Sequence, residues 1–357
     1  MSDTLISDEA AWLVDAAGDF LASPSEVESA GVQAERDGYD GLLVAETRHD
    51  PFISLALAAR ATSRLELASS IAVAFARSPM TVATLANDIQ LVSGGRFSLG
   101  LGSQVKAHIE RRFSMPWSHP AARMEEYVRA LHAIWDAWET GEPLRFEGRF
   151  YQHTLMPPFF NPGPNPHGRP PVLLAGVGAQ MTRVAGGVAD GFLAHTLTTA
   201  AYLRDVTRPA LEKGREAAGR TDRVPVLLPA FVAVAVEQPG LDVAVEGVRK
   251  QLSFYCSTPA YLPVLEHHGW DELHHRLLRL STKGEWAAMP DLVDDEVLAQ
   301  FAAIGTPQEV AQTLDGRFGG LVDRLSFSMP YSVAPDLPAR VAAFLRGATD
   351  PGTTKET

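Results

Sequence analysis

The sequence is short of cysteine, of basic side chains and of long apolar runs. Its 357 residues include one cysteine, Cys256, which excludes an intrachain disulfide and a cysteine-rich metal site. The 31 basic residues are outnumbered by 43 acidic ones, and a surface with a net charge of −12 repels nucleic acid and anionic lipid. No apolar run approaches the roughly 20 residues that cross a bilayer. The expected partner is therefore a small-molecule substrate, with no nucleic acid and no membrane.

The amino terminus also lacks the features of a secretory signal. It reads MSDTLISDEA, with neither a basic segment nor an apolar core. Together with the single cysteine, this predicts a cytoplasmic protein. Hydrophobic residues make up 46% of the chain and charged residues 21%, the balance of a packed globular protein, so dominant disorder is excluded.

Short apolar segments alternate with helical segments along most of the chain. The strand candidates lie near residues 13, 43, 69, 99, 174, 193, 230 and 326. Alternation of this kind indicates parallel strands joined by crossover helices, and eight such units close a barrel. The sequence therefore predicts an α/β fold of the (β/α)8 TIM-barrel type, with a doubly wound open sheet as the alternative.

We predict one barrel domain over residues 1–346 and a flexible tail over residues 347–357. Insertions are expected at about residues 104–122, 141–171 and 255–295, and helical pieces over residues 293–303. The stretch 146–171 is rich in aromatic residues and proline, too irregular for a simple connection. With Phe113 and Trp117, its aromatic side chains suggest an apolar lid or substrate wall.

A glycine-rich turn follows the predicted strand near residue 174. Gly176 and Gly178 let the backbone approach a ligand, and the next helix would point its first amides at an anion. This pattern favours a phosphate site, and the alternative is a tight turn that merely needs glycine. The third glycine and the strand-end acid of the dinucleotide fingerprint are not in place.

Two other strand ends carry small residues. The glycines of residues 100–103 indicate either a flat group lying against the backbone or close packing of neighbouring elements. Ser69 and Ser70 end another predicted strand, and by pattern alone they satisfy local backbone groups.

Residues 46–50 form the densest titratable cluster at a predicted strand end. His49 is a candidate acid or base near neutral pH. Glu46 is a second catalytic candidate, or else simply the ion-pair partner of Arg48. Asp50 precedes a proline and is a good helix cap.

Two further polar clusters favour simpler interpretations. A basic group after the strand near residue 99 favours a solvated face, although it could meet an anionic ligand; it comprises Lys106, His108, Arg111 and Arg112. Four histidines lie in a helical region, where no carboxylate completes a convincing metal set; they are His267, His268, His274 and His275. We therefore predict no metal site.

Three segments together carry a family resemblance. They are LVSGGRFSLGLGSQ at 91–104, LLAGVGAQMTRVAGGVADGFLAH at 173–195 and IGTPQEVAQTL at 304–314. In this order and spacing, the chain resembles bacterial luciferase-like flavin-dependent oxidoreductases, in the branch that uses the deazaflavin coenzyme F420. The resemblance runs from about residue 26 to residue 344. Segments 72–80 and 104–117 are similar to a mycobacterial-type subgroup.

The resemblance implies a luciferase-like barrel with a cofactor across its carboxyl-terminal mouth. The residues it implies for the cofactor phosphate are Gly176, Gly178, Ala179, Gln180 and Met181. Ser70 and Ile71 match a place where members often have a non-prolyl cis peptide behind the deazaflavin ring. Gly102 and Ser103 would lie beside that ring, and His195 would also contact the cofactor. His49 matches a position that often handles protons.

The activity implied is reversible hydride transfer between F420 and an alcohol, carbonyl or activated alkene, with His49 moving the proton. One alternative is an FMN-dependent monooxygenase that uses molecular oxygen on the same fold. A second is a non-catalytic cofactor-binding barrel. The resemblance also implies a homodimer formed through early barrel helices, with residues 79–92 as the candidate interface.

Overall fold

A computed structural model of the chain describes residues 5 and 12–348. The strands are β1 (Leu13–Ala17), β2 (Gly41–Val44), β3 (Glu66–Ser69), β4 (Ala72–Val73), β5 (Phe97–Gly102), β6 (Phe146–Glu147), β7 (Gln152–His153), β8 (Val172–Gly176), β9 (Gly191–Ala194), β10 (Val226–Val234), β11 (Ala302–Gly305) and β12 (Arg324–Ser328). Most of the tail predicted over residues 347–357 lies outside the described residues.

The helices lie mainly between consecutive strands. They are α1 (Pro24–Arg36), α2 (Pro51–Ala61), α3 (Pro79–Ser93), α4 (Lys106–Arg111), α5 (Pro120–Thr140), α6 (Ala179–Val188), α7 (Ala200–Tyr202), α8 (Arg208–Ala217), α9 (Gln238–Cys256), α10 (Leu262–His267), α11 (Asp271–Lys283), α12 (Asp295–Phe301), α13 (Pro307–Phe318) and α14 (Asp336–Leu345). Among the described residues, no helix has the length and apolarity needed to cross a membrane.

Local capping explains where several helices begin. The Asp50 carboxylate accepts the Phe52 amide hydrogen at 2.9 Å and starts α2, as its sequence context predicts. Thr306 and Glu309 cap each other at the start of α13 in a reciprocal capping box. These short polar motifs determine the residues at which α2 and α13 begin.

The strands close into a barrel. Around the ring the order is β1, β2, β3, β5, β8, β9, β10 and β12, and all neighbouring pairs are parallel. Each of the eight strand candidates corresponds to one of these strands, so the predicted (β/α)8 barrel is confirmed. The pairing of β9 with β10 excludes the open doubly wound sheet, because an open sheet would leave both of these edges free.

The structure differs from the prediction in two places. The apolar run 65–74 is predicted as one strand, but β3 ends at Ser69 and β4 resumes the pairing with β5 at Ala72. Residues 293–303 were predicted to be helical throughout, but α12 ends at Phe301 and β11 then pairs with the upper half of β10. The apolar run 301–304 is compatible with either structure, and pairing with β10 decides for a strand.

The barrel interior and the segment between β10 and β11, which we call the insertion, have separate hydrophobic cores. Leucines of four strands fill the barrel, and Leu5 is buried among them; they are Leu43, Leu173, Leu193 and Leu227. The helices between β10 and β11 bury a second apolar cluster around Leu252, Leu265 and Leu277. This second cluster rests against β10 through Phe231 and brings extra side chains to one side of the barrel mouth.

Candidate active site

The inner side chains at the carboxyl ends of the strands are mostly small. In a barrel, residues two apart on a strand face the same side, so the positions above the inner leucines also face inward. Four residues follow the inner leucines by two positions, namely Ala45, Ala175, His195 and Pro229. Ala17, Gly102 and Ser328 follow the inward-facing Asp15, Ser98 and Arg324 by two or four positions, and Ile71 packs against the same inner cluster. We call these eight residues the mouth layer. His195 is its one titratable side chain, and the small side chains around it leave room for a flat group.

Helix α6 begins at this mouth with its first amides uncapped. Gly178 is the N-cap residue, with φ −80° and ψ 151°, and no side chain caps the amides that follow. A Cβ added to Gly178 would have no atom within 4 Å, so open space lies above the helix. Free amides at a helix amino terminus favour an anion, so the predicted phosphate residues Gly178, Ala179, Gln180 and Met181 are arranged for one.

Gly176 has a different role from Gly178. A Cβ on Gly176 would lie 2.9 Å from Cγ of Met181, so the side chain of Met181 packs over this glycine. Met181 can therefore offer a ligand its backbone amide, while its side chain belongs to the wall below. Gly176 keeps the strand end narrow enough for this packing.

The end of β3 carries the cis peptide that the resemblance implied. The bond between Ser70 and Ile71 is cis, and the Ile71 carbonyl accepts the Glu46 amide hydrogen at 3.1 Å. A Cβ on Gly102 would lie 2.9 Å from the Ile71 side chain, so Gly102 makes room for Ile71 in the mouth layer. The role of these residues in holding a cofactor ring stays a prediction.

The structure decides between the two interpretations of Gly100. A Cβ there would lie 1.8 Å from the Ser69 carbonyl oxygen. The Ser69 hydroxyl donates to the Gly100 carbonyl at 2.8 Å and accepts the Gly100 amide hydrogen at 2.9 Å. Gly100 therefore serves the close packing of β3 against β5. Ser103, further along, is half-buried, and its hydroxyl donates to the Gln104 carbonyl at 3.2 Å.

His195 is held in one orientation by neighbours from β9 and the insertion. Its Nδ1 accepts the Leu197 amide hydrogen at 3.0 Å, so the hydrogen of the neutral ring lies on Nε2. The rings of Tyr261 and Tyr255 pack against it at centroid distances of 4.3 Å and 4.9 Å. Burial lowers the pKa of His195 to about 4. At neutral pH it is therefore an uncharged hydrogen-bond donor.

The two candidate catalytic residues after β2 occupy different environments. His49 is exposed on the rim, and no hydrogen bond holds it within residues 12–348. The Glu46 side chain is 6% exposed and pairs at 2.7 Å with Arg77, not with Arg48 as one interpretation expected. It also accepts the Val73 amide hydrogen at 2.8 Å. Glu46 is thus fixed in the wall, whereas His49 can exchange protons with water.

The basic group near α4 is partly neutralised or bound to the protein. Lys106 lies 3.9 Å from Glu110, and Arg112 donates to the Thr47 carbonyl at 2.6 Å. Arg112 also lies over the Phe113 ring, 4.9 Å from its centroid. Arg112 therefore ties the β5 side of the rim to the β2 side.

Three of the four histidines have separate polar partners, and His275 contacts the His274 ring at a centroid distance of 5.4 Å. His267 lies 3.4 Å from Asp205, His268 bonds the Thr199 hydroxyl at 2.8 Å, and His274 bonds the Cys256 carbonyl at 2.7 Å. Across residues 5 and 12–348, no group of three or more histidine, cysteine or acidic side chains could hold a metal ion.

The predicted apolar wall divides into a packed part and an exposed part. Trp117 meets Phe75 edge to face at 5.7 Å, and the Tyr151 hydroxyl accepts from Arg123 at 2.8 Å. Phe159 and Phe160 are 90% and 68% exposed. Trp117 and Tyr151 therefore pack against the main hydrophobic core, whereas the Phe159–Phe160 pair faces solvent.

Sequence reasoning missed the residues that meet the site from outside the barrel strands. Tyr255 and Tyr261 contact His195 from the end of α9 and the turn before α10. Arg77 reaches Glu46 across 31 positions of sequence. The break near Pro259 is visible in the sequence, but nothing there shows which strand end it faces.

The closed parallel barrel makes this chain a (β/α)8 protein, and the uncapped first amides of α6 lie at its mouth. The family model for luciferase-like monooxygenases matches residues 5–324. The chain therefore belongs to the luciferase-like monooxygenase family, and the resemblance seen in its sequence is confirmed. Family membership supports an oxidoreductase or monooxygenase activity.

Similar sequences include a mycobacterial protein and an archaeal reductase. An uncharacterized protein of Mycobacterium tuberculosis is 51% identical over 298 residues, covering 83% of this chain and 87% of the relative. The 5,10-methylenetetrahydromethanopterin reductase of Archaeoglobus fulgidus is 25% identical over 293 residues, covering 79% and 82%.

Solved structures share the fold while differing in cofactor. The coenzyme F420-dependent tetrahydromethanopterin reductase of Methanopyrus kandleri has a TM-score of 0.76 at 20% identity, covering 94% of this chain and 98% of that one. An F420-dependent secondary alcohol dehydrogenase bound to an F420–acetone adduct has a TM-score of 0.71 at 18% identity, covering 94% and 97%. The oxygenating constituent of 3,6-diketocamphane monooxygenase from Pseudomonas putida, in complex with FMN, has a TM-score of 0.65 at 14% identity, covering 94% and 98%.

Proposed function

We propose that this protein is an F420-dependent oxidoreductase that transfers a hydride between F420 and a small alcohol, carbonyl or activated alkene. The observation that carries the proposal is the mouth layer, where small side chains lie between the uncapped α6 amides and Ile71. This arrangement suits a ligand with a flat ring and a phosphate. The F420-dependent relatives and structures favour the deazaflavin.

The residues at the mouth fit such a cofactor. The amides of Ala179, Gln180 and Met181 would bind its phosphate, and the open space at Gly178 admits it. Ile71 would support the ring, with Gly102 leaving room for the Ile71 side chain. Bound F420 supplies the carbon that gives or accepts the hydride. The protein's contribution is to orient the reactants and to limit the access of water.

Two histidines would have different roles in the site, one as a hydrogen-bond donor and one as the proton carrier. His195, neutral with its hydrogen on Nε2, would donate a hydrogen bond to the cofactor. A pKa of about 4 makes His195 a poor base at pH 7, so the accompanying proton needs another carrier. His49, exposed on the rim and able to exchange with water, is the residue we propose for that step.

An FMN-dependent monooxygenase is the second candidate. The same fold holds FMN in the diketocamphane monooxygenase, and FMN also joins a flat ring to a phosphate. The mouth layer would accept either ring, so the choice rests on the measured affinity of each cofactor.

The central experiment titrates the purified protein with F420 and FMN separately and follows the quenching of cofactor fluorescence. We expect saturable binding of F420 that is tighter than that of FMN. Gly178→Leu should weaken binding about 100-fold or more, because charge-assisted hydrogen bonds of about 1.5–3 kcal/mol each are lost. The backbone at Gly178 accepts a side chain without a clash, so the fold should persist.

Gly316→Leu is the matched control, because Gly316 lies on α13 and also has open space around its Cβ position. It should leave cofactor affinity unchanged. Preference for FMN would favour the monooxygenase, and failure to bind either cofactor would overturn the proposed function. Full affinity in Gly178→Leu would refute the phosphate site.

We also propose a homodimer, for which residues 79–92 are the candidate interface. Helix α3 packs most of its apolar residues on the barrel, while Leu91 and Val92 at its end are 43% and 44% exposed. Light scattering should give twice the chain mass, and Leu91→Glu should give the mass of one chain. A single-chain mass for the unmodified protein would contradict the proposal.

A further inference from the structure

The loop after β2, residues 45–50, contacts three other parts of the rim. The Glu46 carboxylate and amide bind the segment after β3, at Val73 and Ile71. The Thr47 hydroxyl donates to the Phe20 carbonyl in the loop after β1. The Thr47 carbonyl accepts from Arg112, just after α4. One short loop therefore links the rims of β1, β3 and β5.

Its firmest connection is with the segment 71–73. The Glu46 amide donates to Ile71 at 3.1 Å, and the Glu46 carboxylate accepts from Val73 at 2.8 Å. These two bonds hold the backbone on both sides of Ala72. From β5, Gly102 leaves room for the Ile71 side chain. Ile71 thus has its backbone fixed by Glu46 and its side chain placed against β5.

Arg77 completes the connection from below. Its guanidinium donates to Glu46 at 2.7 Å, to the Val73 carbonyl at 3.3 Å and to Asp50 at 2.7 Å. Burial alone would lower the pKa of Arg77, but hydrogen bonds and charges of Glu46 and Asp50 outweigh it and raise that pKa. Because Asp50 also caps α2, the loop, the segment and the helix form one bonded unit.

We propose that Glu46 and Arg77 are positioning residues, which set the Ile71 surface at the height and angle that the cofactor ring requires. The inference rests on the proposed function, because it presumes a ring bound against Ile71. It gives Glu46 a role other than the catalytic one its sequence position suggested. Glu46 acts through Val73 and Ile71 and need not touch a reactant.

The matched control lies at the opposite end of the barrel. Asp323 is 6% exposed like Glu46, accepts a strand amide hydrogen from Val226 at 2.8 Å and pairs with Arg208 at 3.2 Å. Each site thus contains a buried carboxylate that accepts a backbone amide hydrogen and pairs with an arginine. Asp323 also pairs with Arg223 at 2.6 Å, and it lies before β12, away from the mouth. Glu46→Gln and Asp323→Asn each remove one buried charge from one such arrangement.

The experiment measures three quantities for the wild type, Glu46→Gln, Arg77→Met and Asp323→Asn. They are the midpoint of urea unfolding, the dissociation constant for F420, and the visible circular dichroism of F420 at saturation. Hydrogen exchange of the peptide that contains Val73 is followed without cofactor. All three variants should be destabilised, because each removes one charge of a buried ion pair.

The two mouth variants should bind F420 on the order of tenfold or more weakly, because small misplacements in a binding site are costly. Their bound F420 should give an altered dichroism signal, and Val73 should exchange faster. Asp323→Asn should keep affinity and signal within twofold. A mouth variant with faster Val73 exchange but wild-type affinity and dichroism would overturn the positioning role alone. Wild-type protein that binds neither F420 nor FMN would overturn the proposed function with it.

Discussion

The two ends of the barrel differ in the polar groups that face its interior. At the amino-terminal end, Arg324 of β12 is buried between Asp15 of β1 and Glu66 of β3, and it donates to Glu66 at 2.6 Å. Burial alone would lower the pKa of Arg324, but the two carboxylates hold it above its usual value. At the carboxyl-terminal end, the mouth layer consists mostly of small side chains, and the first amides of α6 have no side-chain cap.

The contrast shows which end supports the fold and which can bind. The charges of Arg324, Asp15 and Glu66 are already paired with one another, so we assign this cluster to the stability of the barrel and not to ligand binding. The first amides of α6 have no side-chain partner, so they could bind an anion without first breaking a hydrogen bond within the protein. We therefore expect the Arg324 cluster to serve stability and the mouth to serve binding, as is usual for this fold.

The largest loss of stability is expected at the amino-terminal end. Arg324→Met should lower the free energy of unfolding by about 3–5 kcal/mol, because it leaves the buried Asp15 carboxylate and the partly buried Glu66 carboxylate without their cation. Urea unfolding measures the change. Arg129→Met is the control, because its pair with Glu125 is exposed and should contribute about 1 kcal/mol or less. Equal losses in the two variants would contradict this view of the cluster.

A second comparison sets two glycines near the mouth against each other. Gly100→Ala places a Cβ 1.8 Å from the Ser69 carbonyl and should cost about 1–3 kcal/mol of stability through overpacking. Gly178→Ala meets open space and should cost less than about 1 kcal/mol, the effect of a poorer N-cap residue. Denaturant midpoints of the two variants decide the matter. The reverse order of losses would show that β3 and β5 can move apart.

His195 should make stability depend on pH. Its pKa is about 4 in the folded protein, against an ordinary histidine value of 6.5, so the unfolded chain binds a proton first as the pH falls. The wild type should lose stability from pH 6.5 down to pH 4, by about 2 kcal/mol at pH 5 from this residue. His195→Gln should lack that part of the loss. Urea unfolding at pH 7 and pH 5 tests both proteins, and identical pH dependence would mean that His195 is not buried as described.

The smallest effect on stability is expected at the rim. His49→Asn should change the free energy of unfolding by less than about 0.5 kcal/mol, because the side chain is exposed. If His49 moves the proton, turnover should fall about 100-fold or more while cofactor affinity is kept. Steady-state rates and fluorescence titration measure the two effects. Wild-type turnover in His49→Asn would remove this residue from the mechanism.

The local patterns predicted the fold well because each depends on neighbours in sequence. Eight apolar runs separated by helices required a parallel sheet, and the caps at Asp50 and Thr306 fixed helix starts. The glycine turn at residues 176–178 identified the strand end from which α6 begins. The ambiguous case was residues 302–305, where the same apolar run suits a helix or a strand, and β10 selected the strand.

The candidate site was less accessible to sequence because its contacts are long-range. Glu46 and Arg48 are neighbours in sequence, yet the partner of Glu46 is Arg77. The order of strands around the barrel brings Arg77 next to Glu46, and no pattern of neighbouring residues predicts a contact across 31 positions of sequence. The same holds for Tyr255 and Tyr261, which reach His195 only because the insertion folds on its own apolar cluster.

The sequence by itself determined an eight-fold alternation of strands and helices, the turn that opens α6, and membership of a family of flavin and deazaflavin barrels. Periodicity, capping and glycine placement involve residues that are close together in the chain, so they can be recognised from the sequence alone. Closure of the ring decided which side chains meet. It left His195 as the one titratable group of the mouth layer, left His49 exposed, and paired Glu46 with Arg77 in place of Arg48.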